Sequence, residues 1–318
     1  MVSAFDRRAI PANARESGWT APDGFSLRRI DWPTPADGPA RGSILYLPGR
    51  GDFYEKYLET LNYWSFKGWR VTAADWRWQA GSGRYGTNAH TGDVSDFSAW
   101  VDDLAALWSD WRKETPGPHV LAAHSMGGHI VLRAIAENRV NPDAVILSAP
   151  MLGFLTPLPL AVQPAFGRFM AGLGDPGRMA WRVSEKPGTP LSKRASLLTH
   201  DTDRYADELW WRQHRPELEM GPASWRWVWR AAESVARLNT PGLLEAVQVP
   251  ILIVAARYDG LVSYRAVARA ARRLPHAELK TWGREARHEL LREEDTVRDQ
   301  VLAAIDDYLD RTVPAPQG

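Results

Sequence analysis

Six short apolar runs, each five or six residues long, alternate along the chain with segments of helical periodicity, and no other feature restricts its folding as much. The runs are Ser43–Leu47, Arg70–Ala74, His119–Ala123, Ala144–Ala149, Ile251–Ala256 and Glu278–Trp282. Turn formers or charges bound each one, the pattern of strands buried on both faces. Between them, Phe97, Trp100, Val101, Leu104, Ala105, Trp108 and Trp111 form one apolar helical stripe. Val297, Val301, Ile305, Tyr308 and Leu309 give the closing helix the same spacing. Strands alternating with helices predict right-handed crossovers and a parallel sheet with helices on both faces, an α/β fold. The alternating Phe25–Trp32 segment is expected to add an antiparallel edge strand.

Composition narrows the function. The 318 residues are 44% hydrophobic and 24% charged, an ordinary globular balance. Thirty-nine basic against thirty-eight acidic side chains leave a net charge of +1, so nothing favours a nucleic-acid partner. The absence of cysteine excludes disulfides, thiol nucleophiles and thiolate metal sites, and fits a reducing cytoplasm. Residues 144–167 carry no charge, but Pro150, Pro157, Pro159 and Pro164 argue against a membrane-spanning helix. The sixteen tryptophans are expected mostly in the core.

The alternation fails between Pro150 and Pro222, where nine prolines and no clean strand occur. This predicts a core of residues 1–149 and 223–318 and a mostly helical cap insertion, 150–222, over one end of the sheet.

The sharpest local signal is Val120-Leu-Ala-Ala-His-Ser125-Met-Gly-Gly128, followed by the helical pattern Ile130, Val131, Ala134 and Ile135. A strand, a serine in a tight turn and a helix make a nucleophile elbow, with Ala123 where the usual pattern has its first glycine and Gly127 as the second. A serine hydroxyl needs a general base, and the base an orienting acid. Asp259 follows the Ile251–Ala256 strand and His288 follows the Glu278–Trp282 strand. Both thus stand at the carboxyl ends of strands, where an open α/β sheet puts its site. Alone, Asp259 reads as well as a turn aspartate and His288 as a surface histidine; their order after Ser125 sets them apart. Oxyanion donors are expected at the backbone N–H of Met126 and, from the glycine-bearing loop Pro48-Gly-Arg-Gly-Asp52, at that of Arg50.

These blocks resemble the lysophospholipase/monoacylglycerol lipase group of α/β-hydrolases. Leu47-Pro-Gly-Arg-Gly-Asp resembles that group's oxyanion loop, and Ala73-Ala-Asp75-Trp-Arg-Trp with Gly81-Ser-Gly its Asp-x-Arg-Gly-x-Gly-x-Ser stretch. Ala123-His-Ser-Met-Gly-Gly resembles its elbow, and the contexts of Asp259 and His288-Glu289 its acid and base. Leu198-Thr-His-Asp-Thr-Asp-Arg-Tyr and Gly221-Pro-Ala-Ser-Trp resemble the cap of bacterial members. The likeness spans roughly residues 40–310 and implies an α/β-hydrolase fold. Two departures stand out. Pro48 replaces the usual loop histidine, removing a brace, and Trp78 and Gln79 replace a glycine pair, adding bulk near the cleft.

The resemblance implies a serine hydrolase that cleaves a small-molecule carboxylic ester, lysophospholipid or monoacylglycerol, through an acyl-enzyme without a cofactor or metal. A short-chain esterase, or an amidase or peptidase on the same fold, is the alternative, and a non-catalytic binding protein a more distant one. The expected location is cytoplasmic, with peripheral membrane contact through the cap left open; the oligomeric state is not legible. His119, His124 and His129, five residues apart across strand, elbow and helix, are not expected to converge on a metal. The Arg50 side chain is a candidate partner for a phosphate or carboxylate headgroup.

Overall fold

The central strands carry almost nothing but buried side chains, and they set the architecture. In the computed structural model, residues 5–32, 40–86, 88, 90–181 and 194–314 are described. The strands are β1 (Arg15–Thr20), β2 (Ser26–Trp32), β3 (Gly42–Leu47), β4 (Trp69–Ala74), β5 (His119–His124), β6 (Ala144–Ser148), β7 (Ile251–Ala256) and β8 (Ala277–Trp282). They form one eight-stranded sheet in the order β1-β2-β4-β3-β5-β6-β7-β8. From β4 to β8 every pairing is parallel, whereas β1–β2 and β2–β4 are antiparallel. The sheet therefore matches the expected α/β-hydrolase fold.

Two expectations need correction. The Glu278–Trp282 run lies in β8, but β8 closes the far edge of the sheet and none of its residues is buried, because no strand among the described residues covers its outer side. The Phe25–Trp32 segment forms β2, but it is not the edge, because β1 pairs with its outer side along its whole length. The β1 sequence, Arg-Glu-Ser-Gly-Trp-Thr, is exposed at every position but Trp19. It has no alternating apolar face from which a strand could be read.

Side chains alternate across the sheet, so each strand feeds two cores. Leu45, Leu47, Leu121, Val145, Leu147, Ile251 and Ile253 pack on one face. Ile44, Tyr46, Val120, Ile146, Leu252 and Val254 pack on the other. The second face is covered by α1 (Leu58–Phe66) and α9 (Asp295–Thr312), the first by α2 (Phe97–Glu114), α3 (Met126–Ala136), α7 (Trp225–Leu238) and α8 (Tyr264–Arg273). Ten of the sixteen tryptophans are buried in these layers. Between β6 and α7 run α4 (Gln163–Gly172), the single turn α5 (Ala195–Leu198) and α6 (Thr202–His214). Residues 182–193 of the expected insertion lie outside the described residues.

Polar N-caps start several helices. Asp96, Asp201, Ser224 and Ser263 accept backbone N–H groups at the heads of α2, α6, α7 and α8. Helix α3 also begins after a serine, but the Ser125 hydroxyl makes no capping bond. Its hydroxyl is committed elsewhere.

The sheet order fixes where a site can form. From β3 the chain steps outward to β4, then returns to place β5 on the opposite side of β3. The loops leaving β3 and β5 consequently diverge above the carboxyl edge and open a crevice there. The segments after these two strands hold Arg50 and Ser125.

Candidate active site

The elbow brings Ser125 to the top of that crevice at a conformational cost. Ser125 has φ 52° and ψ −116°, a region that side-chain-bearing residues avoid. Backbone bonds over-determine it: Ser125 N–H donates to Ser148 O (2.9 Å), while its carbonyl accepts from His129 (3.1 Å) and Met151 (2.9 Å). The turn is so tight that a Cβ on Gly127 would lie 2.4 Å from Pro48 O and 2.7 Å from Leu47 O. The second glycine of the motif thus answers a close backbone approach between α3 and the loop after β3.

Asp259 and His288 reach the serine from the ends of β7 and β8. His288 Nε2 lies 2.9 Å from Ser125 Oγ, and its Nδ1 lies 2.7 Å from Asp259 Oδ2. The other Asp259 oxygen accepts the Leu261 and Val262 N–H groups at 2.7 and 3.0 Å, which fixes the carboxylate plane. His288 and Asp259 are buried, and Ser125 is half-buried. Burial alone would pull the His288 imidazole down, but the charge and hydrogen bond of Asp259, aided by Glu289 and Asp52, hold it above its ordinary value. Burial would push Asp259 up; His288 and the two backbone donors leave it below the usual carboxylate range. The pair can therefore hold an imidazolium in a water-poor site. A base that accepts the serine proton needs that capacity.

The loop after β3 faces the serine across the crevice. A Cβ on Gly49 would stand 2.9 Å from Asp52 Oδ2 and 3.1 Å from Ser125 Cβ, so glycine fits this approach without displacing either neighbour. The loop is braced despite having proline where a histidine is usual. Trp76 Nε1 donates to Pro48 O (2.8 Å), Gln79 Oε1 accepts the Gly51 N–H (2.9 Å), and Asp52 Oδ2 accepts the Gly49 N–H (3.2 Å). Trp78 and Gln79 consequently do not crowd the cleft. Gln79 holds the loop, and Trp78 packs against Tyr85 (centroids 4.8 Å apart), Phe25 and Trp100. Sequence reasoning missed this second bracing, since neither Trp76 nor Gln79 stands near Pro48 in the chain.

A cavity of about 420 Å³ opens at Ser125 and His288, within the usual range for small-molecule sites. Its walls are largely apolar, with Met126, Met151, Phe154, Trp227 and Val262 among them. Arg50 also lines it, its guanidinium 5.5 Å from the Trp227 ring centre and 5.8 Å from that of Trp181, with Nη1 donating to Gly221 O (3.1 Å).

The three histidines stay apart: His119 faces Thr115 O, His124 faces Ser148 O and His129 faces Ser234 Oγ. One donor cluster escaped the sequence: Asp52, His124 and Glu289 offer ligand atoms within 4.8 Å of one another. The Lys56 ammonium already sits among them, 2.5 Å from Asp52 and 2.6 Å from Glu289. The cluster has its cation in the protein chain. Burial and neighbouring His288 drive the His124 imidazole down to about 4, so it is a neutral member of the site.

The sheet order, the elbow and the serine–histidine–aspartate line at the carboxyl edge define an α/β-hydrolase. The sequence matches the Hydrolase_4 family, serine aminopeptidase S33, over residues 38–295. Lysophospholipase L2 of Escherichia coli K12 is 30% identical over 284 residues, covering 84% of this chain and 80% of that protein. Monoacylglycerol lipase of Mycolicibacterium smegmatis is 28% identical over 171 residues, 52% of this chain and 59% of that one. A soluble variant of monoglyceride lipase from Saccharomyces cerevisiae, in complex with a substrate analogue, shares the fold with a TM-score of 0.73 at 19% identity, covering 98% and 99% of the two chains. The chain belongs to the Hydrolase_4 family of serine hydrolases, in its lysophospholipase/monoacylglycerol lipase-like group.

Proposed function

We propose that Ser125, His288 and Asp259 are the catalytic triad of an ester hydrolase acting on lysophospholipids or monoacylglycerols. The observation that carries this reading is the unbroken hydrogen-bonded line from Ser125 Oγ through His288 to Asp259 at the floor of a mostly apolar cavity. Ser125 attacks the ester carbonyl while His288 takes its proton; Asp259 fixes the imidazole tautomer and stabilises its charged form. The Arg50 and Met126 N–H groups receive the developing oxyanion. His288 returns the proton to the departing alcohol, and water, activated by the same imidazole, releases the fatty acid. Residues 150–222 act as the cap over the acyl pocket.

The family description also admits peptide hydrolysis, and the cleft chemistry favours the ester. An aminopeptidase needs an anion for the substrate ammonium, yet the carboxylates lining this cavity, Asp52 and Glu289, are both bound by Lys56. Arg50, on the cleft wall, is the group we assign to a phosphate headgroup, and the kinship with lysophospholipase L2 supports that choice. On and just after α4, which packs against α7, Phe166 and Phe169 are 44% and 63% exposed, and Leu173 is 53% exposed. Such an apolar surface suits peripheral contact with a lipid interface in the cytoplasm. No helix of the described residues is long and apolar enough to cross a membrane.

The test compares initial rates on nitrophenyl esters from acetyl to palmitoyl, a monoacylglycerol and a lysophospholipid, for wild type and Ser125→Ala. Serine-dependent rates that rise with chain length are expected. Rates confined to acetyl and butyryl would replace the lipid substrate by a short-chain ester, and full activity in Ser125→Ala would overturn the triad. Arg50→Ala keeps the backbone donor and is expected to lower the lysophospholipid rate selectively; an unchanged preference between the two lipids would remove Arg50 from headgroup binding.

A further inference from the structure

Beside the cavity, with Asp52 and Glu289 in its lining, lies a charge cluster that no step above uses. The Lys56 ammonium contacts three buried carboxylates from three separate elements: Asp52 (2.5 Å) on the loop after β3, Glu289 (2.6 Å) immediately after His288, and Glu208 (3.0 Å) on α6. All four side chains are buried. Each carboxylate has further partners, and Arg292 also bridges Glu289 and Glu208. Asp52 accepts Gly49 N–H and Tyr57 OH, Glu289 pairs with Arg292, and Glu208 pairs with Arg194, Arg212 and Arg292. The His288 segment is fastened to α5 as well, through Glu289 N–H to Leu198 O (2.8 Å).

A buried ammonium is held only where its attraction to carboxylates offsets the loss of its hydration. With Arg194, Arg212 and Arg292 the cluster sets four buried or half-buried cations against three carboxylates, so moving any one carboxylate away leaves buried cations poorly matched. Two members of that cluster bracket the chemistry. Asp52 is two residues from Arg50, whose N–H is the oxyanion donor, and Glu289 adjoins the general base.

We infer that Lys56 is a positioning residue for the hydrolysis, its ammonium locking the Arg50 loop, the His288 loop and helix α6 into one geometry. The inference rests on the triad reading given above. The cluster also acts on His288 through its charge. The groups facing the imidazole are Asp259 from the β7 end, Glu289 from its own loop, Asp52 from the β3 loop and His124 from β5, whose ring centre is 4.7 Å away. Removing the negative charge of Glu289 lowers the basicity of His288, because Glu289 contributes to holding it up.

The test measures kcat and KM on nitrophenyl butyrate, per active site titrated with a fluorophosphonate, for Lys56→Met, Lys56→Arg and Glu289→Gln. Misplacing catalytic groups by a fraction of an ångström to an ångström costs about 10- to 100-fold. A drop of that size in kcat is expected for Lys56→Met with KM nearly unchanged, and Lys56→Arg should recover most of it. Glu289→Gln is expected to lower kcat and to move the acid limb of the pH profile to lower pH, which a loss of folded protein alone does not do. If Lys56→Met fails to fold, Glu289→Gln decides, since it keeps the ammonium with Asp52 and Glu208. A folded Lys56→Met with wild-type kcat, or Glu289→Gln with wild-type kcat and acid limb, overturns the inference. Wild type and Ser125→Ala are run alongside. Absence of Ser125-dependent turnover in wild type would refute the triad, whereas normal wild-type turnover matched by the variants refutes only the role of Lys56.

Discussion

Gly127→Ala tests whether the elbow glycine is there for the backbone approach or for helix formation, because the two give opposite signs. Gly127 occupies the first turn of α3, where alanine is the better helix former by about 1 kcal/mol. Helix propensity alone therefore predicts a more stable, equally active variant. The structure predicts the reverse. The new Cβ would stand 2.4 Å from Pro48 O and 2.7 Å from Leu47 O, both backbone atoms with no rotamer to change. Restoring ordinary contact requires a shift of about 1 Å between α3 and the loop that carries the Arg50 N–H. With backbone atoms on the far side of both contacts, the cost lies toward the upper end of the roughly 1–3 kcal/mol of overpacking, which the propensity gain only partly offsets. If that N–H is the oxyanion donor proposed above, misplacing it by that distance is expected to lower kcat/KM about 100-fold, close to 2.7 kcal/mol of transition-state stabilisation. Thermal melts and nitrophenyl butyrate kinetics on the same preparation check both terms. A variant that melts at or above the wild-type temperature with kcat/KM within about threefold would refute the argument. Ala123→Gly is the control, since position 123 lies within the parallel pairing of β5 with β3 and faces no comparable constraint.

Asp259→Asn should leave KM nearly unchanged and lower kcat by about 10³- to 10⁴-fold, because the amide no longer selects the required tautomer of His288; a loss below tenfold would remove Asp259 from its role. Hydrolysis needs neutral His288, whose pKa is raised, so activity should rise with pH along a limb centred above the unperturbed imidazole value of about 6.5. A limb centred below that value would contradict the paired geometry. The same shift acts on stability with the other sign: His288 favours the fold fully below its unfolded pKa, and that contribution disappears as pH rises through the folded one, a trend that denaturant melts across pH would reveal. Trp76→Phe removes the donor to Pro48 O from a buried loop and should cost about 1–3 kcal/mol of stability, with a fall in kcat if the loop shifts; unchanged urea unfolding would show that the loop needs no such brace.

Strands buried on both faces were legible because their apolar runs are continuous, and the amphipathic α2 and α9 because their stripes repeat at helical spacing. The β1 strand was not, since its single buried residue gives no period to detect. The same contrast holds at the site. Ser125 announced itself through the local chemistry of a turn, and Asp259 and His288 through their order after later strands. The bracing of the loop after β3 by Trp76 and Gln79 left no such trace, being a matter of two side chains turning back onto a neighbouring loop.

What the sequence determined alone was local and periodic: which segments extend or coil, where the chain must bend at a glycine, and which residue types could exchange a proton. Tertiary structure decided what depends on distance between remote positions. It set the 2.9 and 2.7 Å contacts that join Ser125, His288 and Asp259, and it gathered Asp52, Glu208 and Glu289 around Lys56. Lys56 and Glu289 are 233 positions apart, and a charge of either sign at the surface of an isolated helix or loop reads as ordinary solubility. Only when folding removes both from water does their pairing become obligatory, because a buried charge without a partner is among the costliest defects a protein can contain.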